Sequence, residues 1–227
     1  IVIKVKNEAD KTTIFISGDI VDDAWRGWSW SEDVETYPQD IRDLLKDAKK
    51  NIDVIISSGG GDLFAGMAIS NMLQRHDGHT KAIIDGLAAS AASIIAFGCD
   101  EIEMPSNAYL MIHKPSIGIY GNADDLLKWA DTLDELQKGL VETYMTKAIA
   151  GKTEEEINNL IDRETWLTGK SAGEFFNIQV TNASTVKNDF GKSVLNYKYT
   201  PKELINNTDD AEEERKLKEI EIAMAMN

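Results

Sequence analysis

Two short segments of the chain carry residue types that can perform acyl-transfer chemistry. Ser90 stands among small residues in 86–92, soon after the apolar run 82–84. His113 directly follows a second apolar run, 109–112. A serine hydroxyl attacks a carbonyl when a base accepts its proton and hydrogen-bond donors stabilise the oxyanion that forms. The two segments therefore predict one nucleophile and one base.

The small residues around Ser90 allow a helix to start close against a strand. A serine at such a start lies near free backbone N–H groups and the positive end of the helix dipole, so the N–H of Ala91 is a natural oxyanion donor. A structural helix cap or a small buried serine fits the same pattern. Ser93 is a second candidate nucleophile, but it lies one turn inside the predicted helix, where we expect its hydroxyl to bond the backbone.

The candidate base has few competitors, because the chain contains three histidines. His76 and His79 flank the Asp77-Gly78 turn, and we expect both in solvent. His113 lies at the end of a strand, where an imidazole can act as a base. A hydrogen-bonded structural histidine would give the same pattern.

A glycine-rich segment, 57–61, precedes a predicted helix. It lacks the Lys-Ser/Thr pair of a phosphate-binding loop and the glycine spacing of a dinucleotide-binding site. Gly59, Gly60 and Gly61 instead allow backbone N–H groups to approach a substrate closely, which also suits an oxyanion hole. We therefore expect a substrate-binding loop here.

The acid that would orient a catalytic histidine is harder to assign. Asp162 and Glu164 both lie in the segment 161–167 and are the two candidates. Any one of the 39 acidic residues can be a surface charge. Sequence spacing alone does not choose between the two.

Composition limits the possible functions. With 39 acidic and 24 basic residues the formal net charge is −15, the wrong sign for neutralising nucleic-acid phosphates. Cys99 is the single cysteine, which excludes an intrachain disulfide and suits a reducing compartment. No apolar run reaches the ~18 residues of a membrane span. We therefore expect a soluble cytoplasmic protein with no nucleic-acid or membrane partner.

The candidate residues are positioned by elements that alternate between strand and helix. This order predicts an α/β fold with a mostly parallel sheet. Predicted strands cover 3–6, 12–17, 52–56, 81–84, 101–103 and 108–113, the first two forming a hairpin. Predicted helices cover 39–49, 62–75 and 87–97.

The second half of the chain is predicted to be mostly helical. Asn122 caps a helix that runs to about residue 150, which is long enough to reach out and pack on a neighbouring molecule. Four shorter elements follow, namely a capped helix over 153–162, a helix over 168–176 ended by a left-handed Asn177, an edge strand over 194–199 and a charged helix over 209–226.

Three tryptophans, Trp25, Trp28 and Trp30, stand close together in a predicted loop. We expect their indole rings to pack into a subunit or domain surface. A substrate-binding platform is the alternative, because tryptophan is enriched at binding surfaces.

Five segments occur in order along about residues 12–180, namely Ile56-Ser-Ser-Gly-Gly-Gly61, Gly86-Leu-Ala-Ala-Ser90, Met104-Pro-Ser-Asn107, Met111-Ile-His113-Lys-Pro115 and Glu164-Thr-Trp-Leu-Thr168. Together they resemble the Clp protease proteolytic-subunit family in order and spacing. The resemblance implies an α/β fold of the ClpP/crotonase type, a spiral of ββα units with a protruding handle helix at about 122–150. It also implies a Ser-His-Asp peptidase that needs no cofactor and no metal.

The resemblance further implies a role for each candidate residue. These roles are nucleophile for Ser90, base for His113, oxyanion donors for the backbone N–H groups of Gly61 and Ala91, and substrate-binding loop for Gly59 and Gly60. The family's aspartate position is occupied by Glu164, whose side chain is one methylene longer. Asp162 is the alternative acid.

Departures from the family pattern indicate one branch of it. The segment 18–21, the tryptophans and the Glu164-Thr-Trp segment are similar to those of phage prohead proteases, which process scaffold and capsid proteins. We therefore expect a serine endopeptidase in a ring-like homo-oligomer, as one ring or two stacked rings. Its expected substrates are phage capsid and scaffold proteins in the host cytoplasm or prohead, and an ATPase partner is not expected.

Three alternative functions stay open at this point. The first is a housekeeping Clp proteolytic subunit fed by an ATPase. The second is an acyl-CoA hydratase or isomerase of the same broad fold, and the third is a catalytically silent structural or scaffold ring. For the domain organisation we expect a peptidase domain over 1–200 and an acidic helical tail or linker over 201–227.

Overall fold

A computed structural model of the chain describes residues 5–7, 10–27, 34–184 and 190–205. Its strands are β1 (Val5–Asn7), β2 (Lys11–Ile20), β3 (Glu35–Thr36), β4 (Asn51–Gly61), β5 (His79–Ala89), β6 (Glu101–Pro105), β7 (Tyr109–Ile112), β8 (Thr165–Thr168) and β9 (Gln179–Thr181). Its helices are α1 (Pro38–Lys46), α2 (Leu63–Gln74), α3 (Ala91–Phe97), α4 (Ala123–Met145), α5 (Glu154–Asp162), α6 (Gly169–Ala172) and α7 (Lys202–Ile205). Short 3-10 turns lie at Asp23–Trp25 and Ser193–Asn196.

The strands form one sheet whose central pairings are parallel, as the alternation of strands and helices predicts. The order β2-β4-β5-β6-β9 is parallel throughout, while β1 is antiparallel to β2 in the predicted hairpin. Strand β5 pairs with β6 along residues 81–83 and with β7 along residues 87–89. The sheet therefore divides at β5 into two branches. This mixed α/β architecture is consistent with the predicted Clp-type fold.

The main apolar core lies between the sheet and the helices packed on it. Alternate side chains of the strands are buried, as shown by Ile52, Val54 and Ile56 in β4. Every residue of α3 is buried, which explains its almost wholly apolar sequence. A second apolar cluster contains Leu87, Ala89, Met111, Phe190, Val194 and Leu204. It joins the ends of β5 and β7 to the end of the described chain.

Two predicted boundaries around the glycine-rich segment and Ser90 are wrong. Residues 57–61 are not a separate loop but the end of β4, where Ile20 pairs with Gly61. Residues 87–89 extend β5 instead of starting a helix, because they pair with β7. Helix α3 therefore begins immediately after Ser90.

Helix α4 starts where predicted but ends earlier. The Asn122 side chain caps it and forms a capping box with Asp125. It ends at Met145 rather than near residue 150, because the following backbone bonds another segment: Asn177 N–H donates to the Lys147 carbonyl and Ile149 N–H to the Phe175 carbonyl. Only its last turns are buried, so most of α4 projects from the core.

The remaining predictions have mixed outcomes. The capping box at Thr153 and Glu156 is confirmed. The predicted helix over 168–176 is a strand end followed by the four-residue α6, and Asn177 does not have a positive φ. The predicted strand over 194–199 is a 3-10 turn that continues through one extended residue, Tyr197, into a second turn at 198–199. Trp25 is 62% exposed, while Trp28, Trp30 and the helix predicted over 209–226 lie outside the described residues.

A helix that crosses a bilayer must be both long and apolar. In residues 5–7, 10–27, 34–184 and 190–205, no helix meets both requirements of a membrane span.

Candidate active site

Ser90 and His113 follow two neighbouring parallel strands, and the register between those strands brings them together. Ala89 of β5 lies opposite Met111 of β7, so the chain leaves both strands at the same edge of the sheet. The backbone N–H of Ser90 donates to the Met111 carbonyl at 2.9 Å. His113 Nε2 lies 2.7 Å from Ser90 Oγ, the separation at which a serine hydroxyl can pass its proton to an imidazole.

Ser90 has an unusual backbone conformation, with φ +52° and ψ −121°. A non-glycine residue in this region is strained, and such strain is typical of functional sites that the surrounding structure holds in place. Ser90 precedes the first residue of α3, but its side chain makes no capping hydrogen bond. The structural-cap explanation therefore does not describe what its hydroxyl does. Ala91 is the first residue of α3, and its N–H has no acceptor within the helix.

Ser93 is engaged in structural hydrogen bonds, as predicted. It is fully buried, its hydroxyl donates to the Ser90 carbonyl at 2.6 Å, and it lies 2.7 Å from the Tyr144 hydroxyl. His76 contacts the backbone carbonyls of Lys49 and Lys50 through Nε2. The Ser93 hydroxyl and the His76 imidazole are thus both occupied by structural contacts. Neither residue competes with Ser90 or His113 for a catalytic role.

The surroundings of His113 favour its neutral form. The imidazole is half-buried, and the loss of solvation lowers its pKa below the ordinary value of 6.5, while the negative charge of Glu164 partly opposes this shift. A neutral imidazole can accept the proton of Ser90. His113 therefore has both the position and the protonation state of a general base near pH 7.

Glu164 reaches the same edge of the sheet from the third strand. Strands β7 and β8 are antiparallel with Ile112 opposite Thr165, which places Glu164 beside His113. Its carboxylate accepts hydrogen bonds from the N–H groups of Tyr199 at 2.6 Å and Lys198 at 3.1 Å. Within the described residues, no hydrogen bond joins this carboxylate to His113, so its effect on the imidazole is electrostatic in this conformation.

Asp162 is directed elsewhere. Its carboxylate accepts a hydrogen bond from Gln137 Nε2 at 2.9 Å and forms an ion pair with Lys114 Nζ at 3.1 Å. These partners, the Gln137 hydrogen bond first, lower the pKa of Asp162. Of the two candidate acids, the geometry favours Glu164.

The glycine-rich end of β4 lies against Ser90 and needs its glycines. Gly60 has φ +97°, and a Cβ atom there would stand 2.6 Å from the Ala89 carbonyl oxygen and 2.8 Å from Ser90 Cβ. Gly61 has φ +140°, and a Cβ there would collide with the Ile20 carbonyl. Both positions therefore exclude a side chain.

Gly59 differs from the other two glycines. Its N–H donates to the Phe190 carbonyl at 2.6 Å, so a later part of this same chain occupies it. A direct contact of this N–H with substrate is not available in this conformation.

A cavity of about 360 Å³ contains Ser90, His113 and Gly61 in its walls. The other walls are mainly apolar and include Phe64, Ile94, Trp129, Leu133, Leu136 and Leu140. A slightly larger cavity of about 450 Å³, near Leu45 and His76, contains none of the candidate site residues. In the described part of the chain no three His, Cys, Asp or Glu side chains come together as a metal site.

Tyr197 is a site residue that the sequence analysis missed. Its ring lies edge-on to the His113 ring with centroids 5.1 Å apart, and it lines the same cavity. The sequence contains no local signal for this contact, because Tyr197 is far from His113 along the chain. The segment 194–199 was predicted only as an edge strand, which indicates no partner for Tyr197.

Comparisons with known proteins agree with this geometry. The ATP-dependent Clp protease proteolytic subunit 1 of Chlamydia abortus is 32% identical over 125 residues, which cover 53% of this chain and 64% of that protein. The protein with the same name from Streptomyces coelicolor is 33% identical over 135 residues, covering 58% of this chain and 60% of that protein. The chain thus spans about three fifths of the length of these curated relatives.

A family model described as Clp protease matches residues 39–178. The match includes Ser90, His113 and Glu164, and it ends before Phe190. Because it covers more than half of the chain, the chain belongs to the Clp protease family.

Proposed function

We propose that the chain is a serine endopeptidase of the Clp type. The observation that carries this proposal is the 2.7 Å contact between Ser90 Oγ and His113 Nε2 in a chain of this family. The family match supports peptidase chemistry over the hydratase or isomerase alternative. The half-buried, neutral imidazole supports an active base over a silent ring.

The proposed reaction begins with attack of Ser90 Oγ on the peptide carbonyl carbon while His113 accepts the hydroxyl proton. The N–H groups of Gly61 and Ala91 would stabilise the oxyanion of the tetrahedral intermediate. His113 then gives its proton to the departing amine, leaving an acyl ester on Ser90. Water, deprotonated by the same imidazole, would release the acid and restore the serine.

Glu164 is the proposed acid of this site. Its negative charge beside the ring would stabilise the imidazolium that forms at each proton transfer. This role is supported by its effect on the pKa of His113. The ion pair of Asp162 with Lys114 argues against the alternative assignment.

The cavity beside Ser90 supports a preference for substrates with a large apolar residue. The apolar part of its walls is supplied mainly by side chains of α2, α3 and α4, and burying a leucine or phenylalanine side chain contributes about 1.5–3 kcal/mol. We therefore expect cleavage after such residues. Phage capsid and scaffold proteins are the substrates that the similarity of 18–21, the tryptophans and Glu164-Thr-Trp to prohead proteases favours.

Action in a ring-like homo-oligomer is part of the same proposal. It is supported by the family and by exposed apolar side chains on the projecting half of α4, namely Leu126 (47%), Leu127 (66%) and Trp129 (40%). The names of the relatives favour a second candidate, an ATP-dependent proteolytic core.

Cleavage of an unfolded protein tests the two candidates together. An autonomous maturation protease would degrade an unfolded protein and fluorogenic peptides without added ATPase, and Ser90→Ala would abolish both activities. Peptide cleavage that extends to proteins only when a Clp ATPase and ATP are added would favour the second candidate. Full activity of Ser90→Ala would overturn the proposal.

A further inference from the structure

The last described part of the chain, residues 190–205, lies outside the family match but packs directly on the candidate site. We call it the C-terminal segment. Phe190, Val194 and Leu204 are buried in the apolar cluster that contains Leu87, Ala89 and Met111. These are residues of the two strands that carry Ser90 and His113. Burial of three apolar side chains makes a stable attachment rather than a loose surface contact.

Polar contacts fasten the C-terminal segment at three places around the site. The Asp19 carboxylate accepts hydrogen bonds from the N–H groups of Ser193 at 2.9 Å and Lys192 at 3.3 Å. The N–H of Gly59 donates to the Phe190 carbonyl. At the third place, the Glu164 carboxylate accepts hydrogen bonds from the N–H groups of residues 198 and 199. The segment therefore contacts both the glycine-rich end of β4 and the candidate acid.

Tyr197 occupies the centre of this arrangement. Its ring stands at 72° to the His113 ring, and it also contacts the Trp166 ring with centroids 5.9 Å apart. Its hydroxyl donates to the Gly59 carbonyl. Burial raises the pKa of Tyr197 to about 12, against the opposing effect of the Ser90 hydroxyl. The phenol therefore stays protonated and remains a hydrogen-bond donor throughout the neutral range.

We propose that Tyr197 is a positioning residue of the catalytic site, whose ring holds and desolvates the His113 imidazole while its hydroxyl fixes the glycine-rich end of β4. This inference rests on the proposed function, because it concerns the same Ser90 and His113. It gives the C-terminal segment a role in catalysis, although the Clp family match ends before that segment begins.

The ring should control how strongly His113 binds a proton. Among the described residues, the charged groups near the imidazole are Glu164 directly before β8, Asp62 in the cavity wall, and Lys114, which is paired with Asp162. Truncation of Tyr197 removes none of these charges, and the hydrogen bonds that Glu164 accepts from residues 198 and 199 come from backbone N–H groups that the substitution keeps. Removal of the ring would admit water to one face of the imidazole, so the depressed pKa of His113 should rise toward 6.5.

The test combines an NMR titration of the histidine ring protons with the rate at which a fluorophosphonate labels Ser90. The chain has three histidines, so the His113 signal is assigned by its loss in a His113→Gln variant. We expect Tyr197→Ala to raise the pKa of His113 and slow labelling. Tyr197→Phe keeps the ring, so it should leave the pKa unchanged but slow labelling about fivefold, the usual effect of one lost neutral hydrogen bond.

Tyr199→Ala is the matched control. Tyr199 belongs to the same segment and its side chain is 56% exposed, while its backbone N–H to Glu164 survives the substitution. This variant should match the native protein in both measurements. Circular dichroism reports whether each variant folds, and Tyr197→Phe keeps the inference testable if Tyr197→Ala does not.

Two results would overturn the inference. One is a His113 pKa in Tyr197→Ala equal to that in Tyr199→Ala. The other is labelling of the Tyr197 variants as fast as, or faster than, labelling of the native protein, which would make the segment a bystander or a cover. Failure of the native protein to label at Ser90 would instead reject the proposed protease function, and the NMR titration would still decide the ring's effect on His113.

Discussion

The imidazole of His113 is subject to two opposing influences. Burial lowers its pKa and the charge of Glu164 raises it, and burial is the larger of the two. The residue is therefore neutral at pH 7 yet able to form an imidazolium whose charge Glu164 can stabilise. A base with these properties is suited to accept and return one proton in each step of acyl transfer.

The pH dependence of activity should report this balance. Peptidase kcat/KM should rise with pH as His113 loses its proton, with the midpoint below pH 6.5 because the pKa is lowered. Glu164→Gln removes the charge that raises this pKa, so the midpoint should move to still lower pH, while the plateau falls by about 10²-fold.

Asp162→Asn is the control for that experiment, because Asp162 is tied to Gln137 and Lys114. It should leave both the midpoint and the plateau near the native values. If Asp162→Asn instead moves the midpoint and Glu164→Gln does not, the assignment of the acid is reversed.

Strand register is what converts the separate sequence segments into one site. Ser90 and His113 were predictable because each follows an apolar run that reads as a buried strand. Their contact depends on the pairing of Ala89 with Met111, which no local pattern specifies. The same limit explains why residues 57–61 were predicted as a loop. Their glycines carry no strand signal, and it is pairing with β2, together with the pairing of Ser58 with Ala88 of β5, that makes them the end of β4.

The C-terminal segment shows this limit most clearly. Tyr197 contacts His113 because Phe190 and Val194 of the same segment pack into a distant apolar cluster. Local sequence does not encode such tertiary packing, and the local pattern favoured an edge strand instead. Asn177 is a similar case, since its N–H bonds the Lys147 carbonyl and no left-handed turn is needed. Helix starts with a side-chain cap, such as those at Asn122 and Thr153, were predicted better than the uncapped start of α3, because a cap is a local interaction.

The end of β4 should be intolerant of any side chain. Gly60→Ala would place a methyl group 2.8 Å from Ser90 Cβ at a positive φ, so we expect a loss of about 1–3 kcal/mol in the free energy of unfolding and loss of Ser90 labelling. Gly139→Ala is the contrasting control, since Gly139 lies inside α4 and a Cβ atom added there would meet no other atom within 4 Å. There we expect a gain of about 0.5–1 kcal/mol and unchanged labelling. Denaturant unfolding of both variants measures the difference, and equal tolerance at the two positions would contradict the described packing.

Several large apolar side chains on α4 and just before it are exposed to solvent. Leu126, Leu127 and Trp129 share the projecting half of α4, and Tyr120 just before that helix is fully exposed. A net charge of −15 would keep separate copies apart unless burial of such a surface offsets the repulsion. These features together favour assembly through α4.

Assembly should therefore depend on Leu127. Leu127→Glu places a charge in the proposed contact and should reduce the oligomer to smaller species in native mass spectrometry, without lowering the unfolding temperature of the protomer. Lys128→Gln changes the net charge by the same amount on the same helix and should leave assembly intact. A native protein that is monomeric at micromolar concentration would contradict the ring proposal.

The most direct test of the account is labelling of the native protein with a fluorophosphonate, followed by mass spectrometric location of the modified residue. We predict a single adduct on Ser90 that is absent from Ser90→Ala, strongly slowed in His113→Ala and still formed on Ser90 in Ser93→Ala. A folded, oligomeric protein that is not labelled at Ser90, or is labelled at another serine, would contradict the claim that Ser90 is an activated nucleophile.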